Sequence, residues 1–156
     1  MVVIEMREIL FRGQTRKYGE KVLMGSGEKL PGQWVYGGIF PGTGDFSVIY
    51  GWEDGVEHTG GNLKKLPVYS DTVGEYAGQI DKNGAKIFEG DICRHRVVVD
   101  GEVLEDDVGN VCLRHGSWTI MDKFGYIAVG QCSPDSLEVI GNIHDTPELL
   151  EVRDEH

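Results

Sequence analysis

Four side chains in the middle of this 156-residue chain are of types that bind metal or act as nucleophiles: Cys93, His95, Cys112 and His115. Thiolate and imidazole are the common ligands of zinc, and Cys93 and His95, two apart on an extended segment, share one face. Cys112 and His115 are three apart, which puts them on opposite faces of a regular strand, and Cys-x-His is not a zinc-finger spacing. The plainer reading is that the cysteines are small core residues and the histidines lie at a rim. A cysteine nucleophile would need a base, and His58, His95, His115 and His144 are all candidates. The pattern contains neither a helix N-terminus to lower a thiol pKa nor a protease-like signature. Catalytic, cofactor-binding and metal-binding residues are therefore all expected to be absent.

Glu102, Glu105, Asp106 and Asp107 bring enough carboxylates together for a divalent cation or for acid/base work. They lack the EF-hand pattern, and a solvated hairpin end that guards a sheet edge explains them with less machinery. The glycine-rich stretches Gly25-Ser26-Gly27 and Gly37-Gly38 to Gly44 do not follow phosphate-loop spacing and read as loops. Trp34, Tyr36, Phe46, Tyr50 and Trp52 could form a base-stacking or protein-binding face, but core packing is the more frequent fate of such residues.

The elements that must position these groups follow from composition. With 40% hydrophobic and 26% charged residues the chain is of globular type and long enough to bury a core. Cys93, Cys112 and Cys132 are an odd number without dense spacing, so they read as reduced thiols. No run approaches the roughly 18 apolar residues of a membrane helix, and the expected location is the cytoplasm, with no membrane partner. Residues 1–70 balance eight basic against eight acidic side chains, so the whole net charge of −11 belongs to residues 71–156. Nucleic acid is an unfavoured partner for such a surface. Arg7, Arg12, Arg16, Lys17 and Lys21 lie close together in the first half, and the contrast with the acidic second half suggests self-association.

Short apolar runs broken by turn residues predict a mainly β fold. Strands are expected at Ile9–Arg12, ending in a turn at Gly13, at Gln33–Gly37, broken by Gly37-Gly38, and at Phe46–Trp52. Val56 to Val68 reads as a surface loop. Asn83-Gly84 and Glu89-Gly90-Asp91 read as tight turns, and Asp100-Gly101 as the turn of a hairpin between Ile92–Val99 and Gly101–Leu104. Further strands are expected at Asn110–Arg114, Trp118–Met121, Tyr126–Val129 and Leu137–Ile140. Thr146 as N-cap, Pro147 in the first turn and Glu148 after it predict a short C-terminal helix.

The run Val73-Gly74-Glu75-Tyr76-Ala77-Gly78-Gln79-Ile80-Asp81-Lys82-Asn83-Gly84-Ala85-Lys86-Ile87-Phe88-Glu89-Gly90-Asp91-Ile92 closely resembles the central signature of the YopX family of phage and prophage proteins. Met6–Arg12 is similar to the family's start, Trp34-Val35-Tyr36-Gly37 to an N-terminal motif, and Glu138–Leu150 to its end. The resemblance implies a β-barrel-like architecture with an SH3-type barrel in the C-terminal part. It divides the chain at residues 1–70 and 71–156, or leaves one continuous domain. It carries no activity with it. The expected function is a non-enzymatic phage accessory protein that self-associates and meets a host or phage protein. Two alternatives stand beside it: an acidic nucleic-acid mimic, and a Cys/His enzyme or metal protein.

Overall fold

The computed structural model describes residues 7–20, 30–52 and 63–154. Eleven strands build two antiparallel sheets among them. The first contains β1 (Phe11–Arg16), β2 (Gln33–Phe40), β3 (Phe46–Trp52), β4 (Lys64–Tyr69), β5 (Gly74–Ile80) and β6 (Lys86–Phe88). Their spatial order is β4-β3-β2-β1-β5-β6. The second contains β7 (Asp91–Val99), β8 (Glu102–Arg114), β9 (Ser117–Asp122), β10 (Gly125–Ala128) and β11 (Leu137–Asn142). Its order is β10-β9-β8-β7-β11, with β10 and β11 as edges, so the fold is a barrel-like pair of sheets and not a closed barrel.

There are two apolar centres, and the second is shared between the sheets, since Ile87 of β6 packs among residues of the second sheet. Val35, Ile49 and Val68 form one, with Phe11, Ile39, Leu66 and Val73 packed on it. Ile87, Cys93, Val111, Ile120, Val129, Cys132 and Leu137 form the other. Alternation selects most of the strand members, because every second residue of a half-buried strand faces inward, while Val129 and Cys132 come from the segment between β10 and β11.

The hairpin turns are as local chemistry dictates. Asp100 and Gly101 both have positive φ, at 51° and 82°, which is the primed turn that suits the right-handed twist of paired strands. His115 and Gly116 repeat this geometry between β8 and β9, at 50° and 77°. Asp81 closes the Asn83-Gly84 turn by accepting the backbone N–H groups of Asn83 and Ala85 on Oδ1, and it accepts that of Val139 on Oδ2.

Several boundaries differ from the sequence-based expectation, each for a tertiary reason. Gly13 is not a turn: β1 runs through it to Arg16, and a Cβ there would lie 2.8 Å from a Val68 methyl, so glycine permits close strand packing. Gly37-Gly38 does not break β2. Gly37 pairs with Gly51, and a Cβ on either would strike the carbonyl of Tyr50 or Tyr36 respectively. The expected loop from Val56 to Val68 is partly strand, since Lys64–Tyr69 pairs with β3; its residues 56–62, with His58, lie outside the described residues, as do Lys21 and Gly25-Ser26-Gly27. Gly101–Leu104 and Asn110–Arg114 are ends of one 13-residue strand. The C-terminal helix over Pro147–Asp154 is a 3₁₀ helix, not an α-helix. No helix among the described residues is long and apolar enough to cross a membrane.

Candidate functional site

The face of the first sheet that carries Arg12, Trp34 and Tyr36 meets two turns from the second half of the chain. Register explains the grouping: Arg12 lies opposite Tyr36 and Gln14 opposite Trp34, so all four share one face. Arg12 Nη2 donates to Asp91 at 2.7 Å, with side chains only 7% and 2% exposed. The guanidinium also sits 4.4 Å from the Trp34 ring centre and 4.9 Å from that of Phe88, within cation–π range. Phe88 in turn contacts the rings of Tyr36 and Tyr76. Burial pushes the Asp91 carboxyl up, against the opposing pull of Arg12. Its Oδ2 also accepts the Phe88 N–H, so Asp91 holds the Glu89-Gly90 turn as well as the cation. Gly90 supplies the positive φ of that turn, at 89°.

Asp145 forms the second anchor. It accepts from Gln14 Nε2 at 2.6 Å, Trp34 Nε1 at 2.8 Å and Asn142 Nδ2 at 3.1 Å. Burial pushes the Asp145 carboxyl up, but these three donors outweigh it and hold it below the usual carboxylate range. His144 packs its ring on Trp34, and burial lowers its pKa. The junction thus joins β1 and β2 to residues 88–91 and 142–145. Two of its buried atoms, Arg12 Nε and Gln14 Oε1, have no hydrogen-bond partner among the described residues.

An open cleft of about 840 Å³ adjoins this junction. Arg12, Tyr36, Tyr50, Phe88, Lys86 and Asp91 are among its lining residues, with Gly37 and Gly51. Lys86 is ion-paired to Glu8 at 2.6 Å at the rim.

The Cys/His set does not assemble. Cys93 is fully buried in the core, and burial, followed by the charges of Asp91 and Asp81, raises its thiol pKa. Cys132 is buried and raised likewise, Cys112 lies against Thr119 at 3.5 Å, and His115 occupies a hairpin tip. His95 is buried, with Nδ1 3.4 Å from Glu105. Among the described residues no three His, Cys, Asp or Glu side chains group as metal ligands.

The acidic cluster lies on a projecting ribbon. β11 pairs β7 only as far as His95, and β9 pairs β8 only from Asn110 onward, so residues 96–107 continue as a two-stranded arm. An extra residue in β8 between the pairs Val98↔Val103 and Val97↔Glu105 places Glu102, Glu105 and Asp107 on one face. Asp106 faces the other way and makes a two-pronged contact with Arg94, at 2.7 Å to each oxygen. The ribbon's apolar side chains Val98, Val99, Val103 and Leu104 are all exposed.

Three basic residues of the first half are ion-paired within the molecule. Arg7 pairs with Glu75, Arg12 with Asp91 and Lys17 with Asp71. The complementary charge of the two halves therefore acts between them inside one chain. Sequence reasoning missed this role for Arg12, Gln14 and Asp145. The one available signal was that Glu89-Gly90-Asp91 and Asn142–Asp145 fall in motif-like runs.

A family model described as YopX protein matches residues 47–151. No curated protein matches the chain. Among solved structures it is similar to the crystal structure of protein EF1440 from Enterococcus faecalis, with 23% identity, 68% of this chain and 75% of that chain covered, and a TM-score of 0.39. Because the family model spans well over half of the sequence, the chain belongs to the YopX family.

Proposed function

We propose that this chain is a non-catalytic interaction module of phage or prophage origin that uses the β7–β8 ribbon to associate with copies of itself and with a host or phage protein. The observation that carries the reading is the ribbon itself. Val98 and Leu104 are 52% and 60% exposed on an arm that extends beyond both neighbouring strands. Exposed apolar groups on an under-paired strand pair are the usual chemistry of strand-mediated association. Since Arg7, Arg12 and Lys17 are already ion-paired within the chain, association through the ribbon rests on apolar contact and persists at high salt. Light scattering on the full chain at low and high salt tests it. Assembly at both salts that is lost in Val98→Lys/Leu104→Lys is expected; a monomer throughout overturns self-association.

A second reading has its own support. Glu102, Glu105 and Asp107 share one face; Glu105 and Asp107, two apart on the strand, stand about 6.8 Å apart, and Glu102 continues the line of negative charge across the extra residue. The ribbon would then occupy the basic groove of a host nucleic-acid-binding protein. Replacing the three carboxylates by amides should abolish capture of that protein, and unchanged capture eliminates the reading.

A further inference from the structure

Both strands of the ribbon run on past their neighbours, and the two free edges differ in charge. The β8 edge carries Glu102, Glu105 and Asp107, which repel a second β8 edge laid against them. The free stretch of β7 is Arg96-Val97-Val98-Val99, with Val98 and Val99 exposed. Hydrogen bonds of β11 show which backbone groups this stretch offers. The Leu137 carbonyl accepts from the Lys82 N–H and the Val139 N–H donates to Asp81, so both residues turn their backbone groups away from β7. β11 therefore bonds to β7 through Glu138, which lies opposite Arg94. By the same alternation Arg96 and Val98 direct their N–H and C=O groups to that edge, past the point where β11 ends. An open hollow of about 430 Å³ lies there, between Val97-Val98 and the turn at Ser133–Ser136. Lys82, Arg94 and Arg96 outnumber Asp135 and Glu138 among its lining residues, a local positive excess on a chain of net charge −11. The ribbon tip, Val99 to Glu102, carries two carboxylates and no cation.

We propose that the free edge of β7 pairs antiparallel with the same edge of a second copy, each ribbon tip entering the hollow of the other. This rests on the reading of the ribbon as a self-association element and gives that association its register. Residues opposed in an antiparallel ladder point to the same face, so a two-fold pairing requires opposed residue numbers that differ by an even count. Val98 opposite Val98 of the second copy uses the free stretch fully. The two Val98 residues exchange N–H to C=O bonds, Val97 of each copy faces Val99 of the other, and Arg96 comes beside Asp100 where the opposing strand enters its turn. Centring on Val97 instead would set Val99 against His95 of the second copy, whose edge β11 already holds. Exposed pairs such as Arg96 with Asp100 fix register more than they add affinity, so the dimer holds at high salt.

The test uses two full-length variants in a Cys112→Ser background, Val97→Cys and Val99→Cys, under mild oxidation. Positions 97 and 99 of opposite copies form a non-hydrogen-bonded pair with Cα atoms about 4.5 Å apart, within disulfide reach. Like positions stand about 8 Å apart, beyond it. A mixture of the two variants should give a disulfide dimer that neither gives alone, with light scattering on the same samples reporting a dimer. Arg96→Glu in the otherwise native chain should raise the dimer dissociation constant by about tenfold. Assembly without the mixed disulfide, equal cross-linking of either variant alone, or unchanged association in Arg96→Glu overturns this register and leaves association through the ribbon standing. A monomer before oxidation overturns both.

Discussion

Arg12 and Asp91 meet at 2.7 Å with both side chains shut from water, and they tie the first strand of one sheet to the first strand of the other. Both side chains also act beyond the pair, since Arg12 packs against Trp34 and Phe88, and Asp91 secures the turn that leads into β7. A buried ion pair of this kind need not add much net stability, but breaking it leaves an uncompensated charge in a low dielectric.

Asp91→Asn or Arg12→Met alone should therefore destabilise the chain by about 3–5 kcal/mol, while the double variant Arg12→Met/Asp91→Leu recovers a large part of the loss. Urea unfolding of the native chain, the single variants and the double variant measures it. Additive losses would show that the two side chains are not coupled.

Gly37→Ala should cost about 3 kcal/mol or more, because its Cβ would run into the Tyr50 carbonyl, whereas Gly38→Ala meets open space and should change stability by under about 1 kcal/mol. Thermal unfolding separates the two neighbours. Similar midpoints would refute the close-approach account of β2.

Acid should weaken the fold in two steps. The folded pKa of His144 is lowered, first by burial and then by Arg12, so its contribution is full above the ordinary value of 6.5 and declines as pH falls below it. Asp145 is also lowered, as is Asp81, where the N–H groups of Val139, Ala85 and Asn83 outweigh burial. Their contributions are full above 3.8 and are lost as pH falls further. Unfolding free energy measured against pH should show both declines, and His144→Gln should remove the upper one.

Thiol chemistry should be slow in the native state. Cys93 and Cys132 are buried with raised pKa values, so only Cys112, which is partly exposed, should react with a disulfide reagent before denaturation. Counting fast thiols with and without urea checks this. Rapid native modification of Cys93 would reopen the nucleophile reading.

His115→Asn should be neutral or stabilising by up to about 1 kcal/mol, since His115 holds positive φ at 50°, which asparagine tolerates better. Thermal unfolding of this variant checks it, and a large loss would mean that the imidazole makes contacts important to the fold.

The residues that act locally were legible in the sequence. Asp100-Gly101 predicts its hairpin, Asn83-Gly84 and Glu89-Gly90-Asp91 predict their turns, and Phe46–Trp52 is a strand with the expected bounds, because turn chemistry and period-two patterning need only near neighbours. Gly13 and Gly37 misled for the same reason. Locally they read as breaks, and only the approach of Val68 and of β3 makes glycine a requirement inside a strand. The functional candidates depended still more on tertiary structure. Arg12 reaches Asp91 and Gln14 reaches Asp145 across 79 and 131 positions respectively, distances over which no spacing rule operates. The acidic run was visible as four carboxylates, but a single extra residue in β8 decided that three of them share a face while Asp106 turns to Arg94. Chain chemistry thus determined the strands, the turns and the location of charge. Packing of the two sheets decided which charges are spent inside the molecule and which surfaces, the ribbon and the cleft, remain open to a partner.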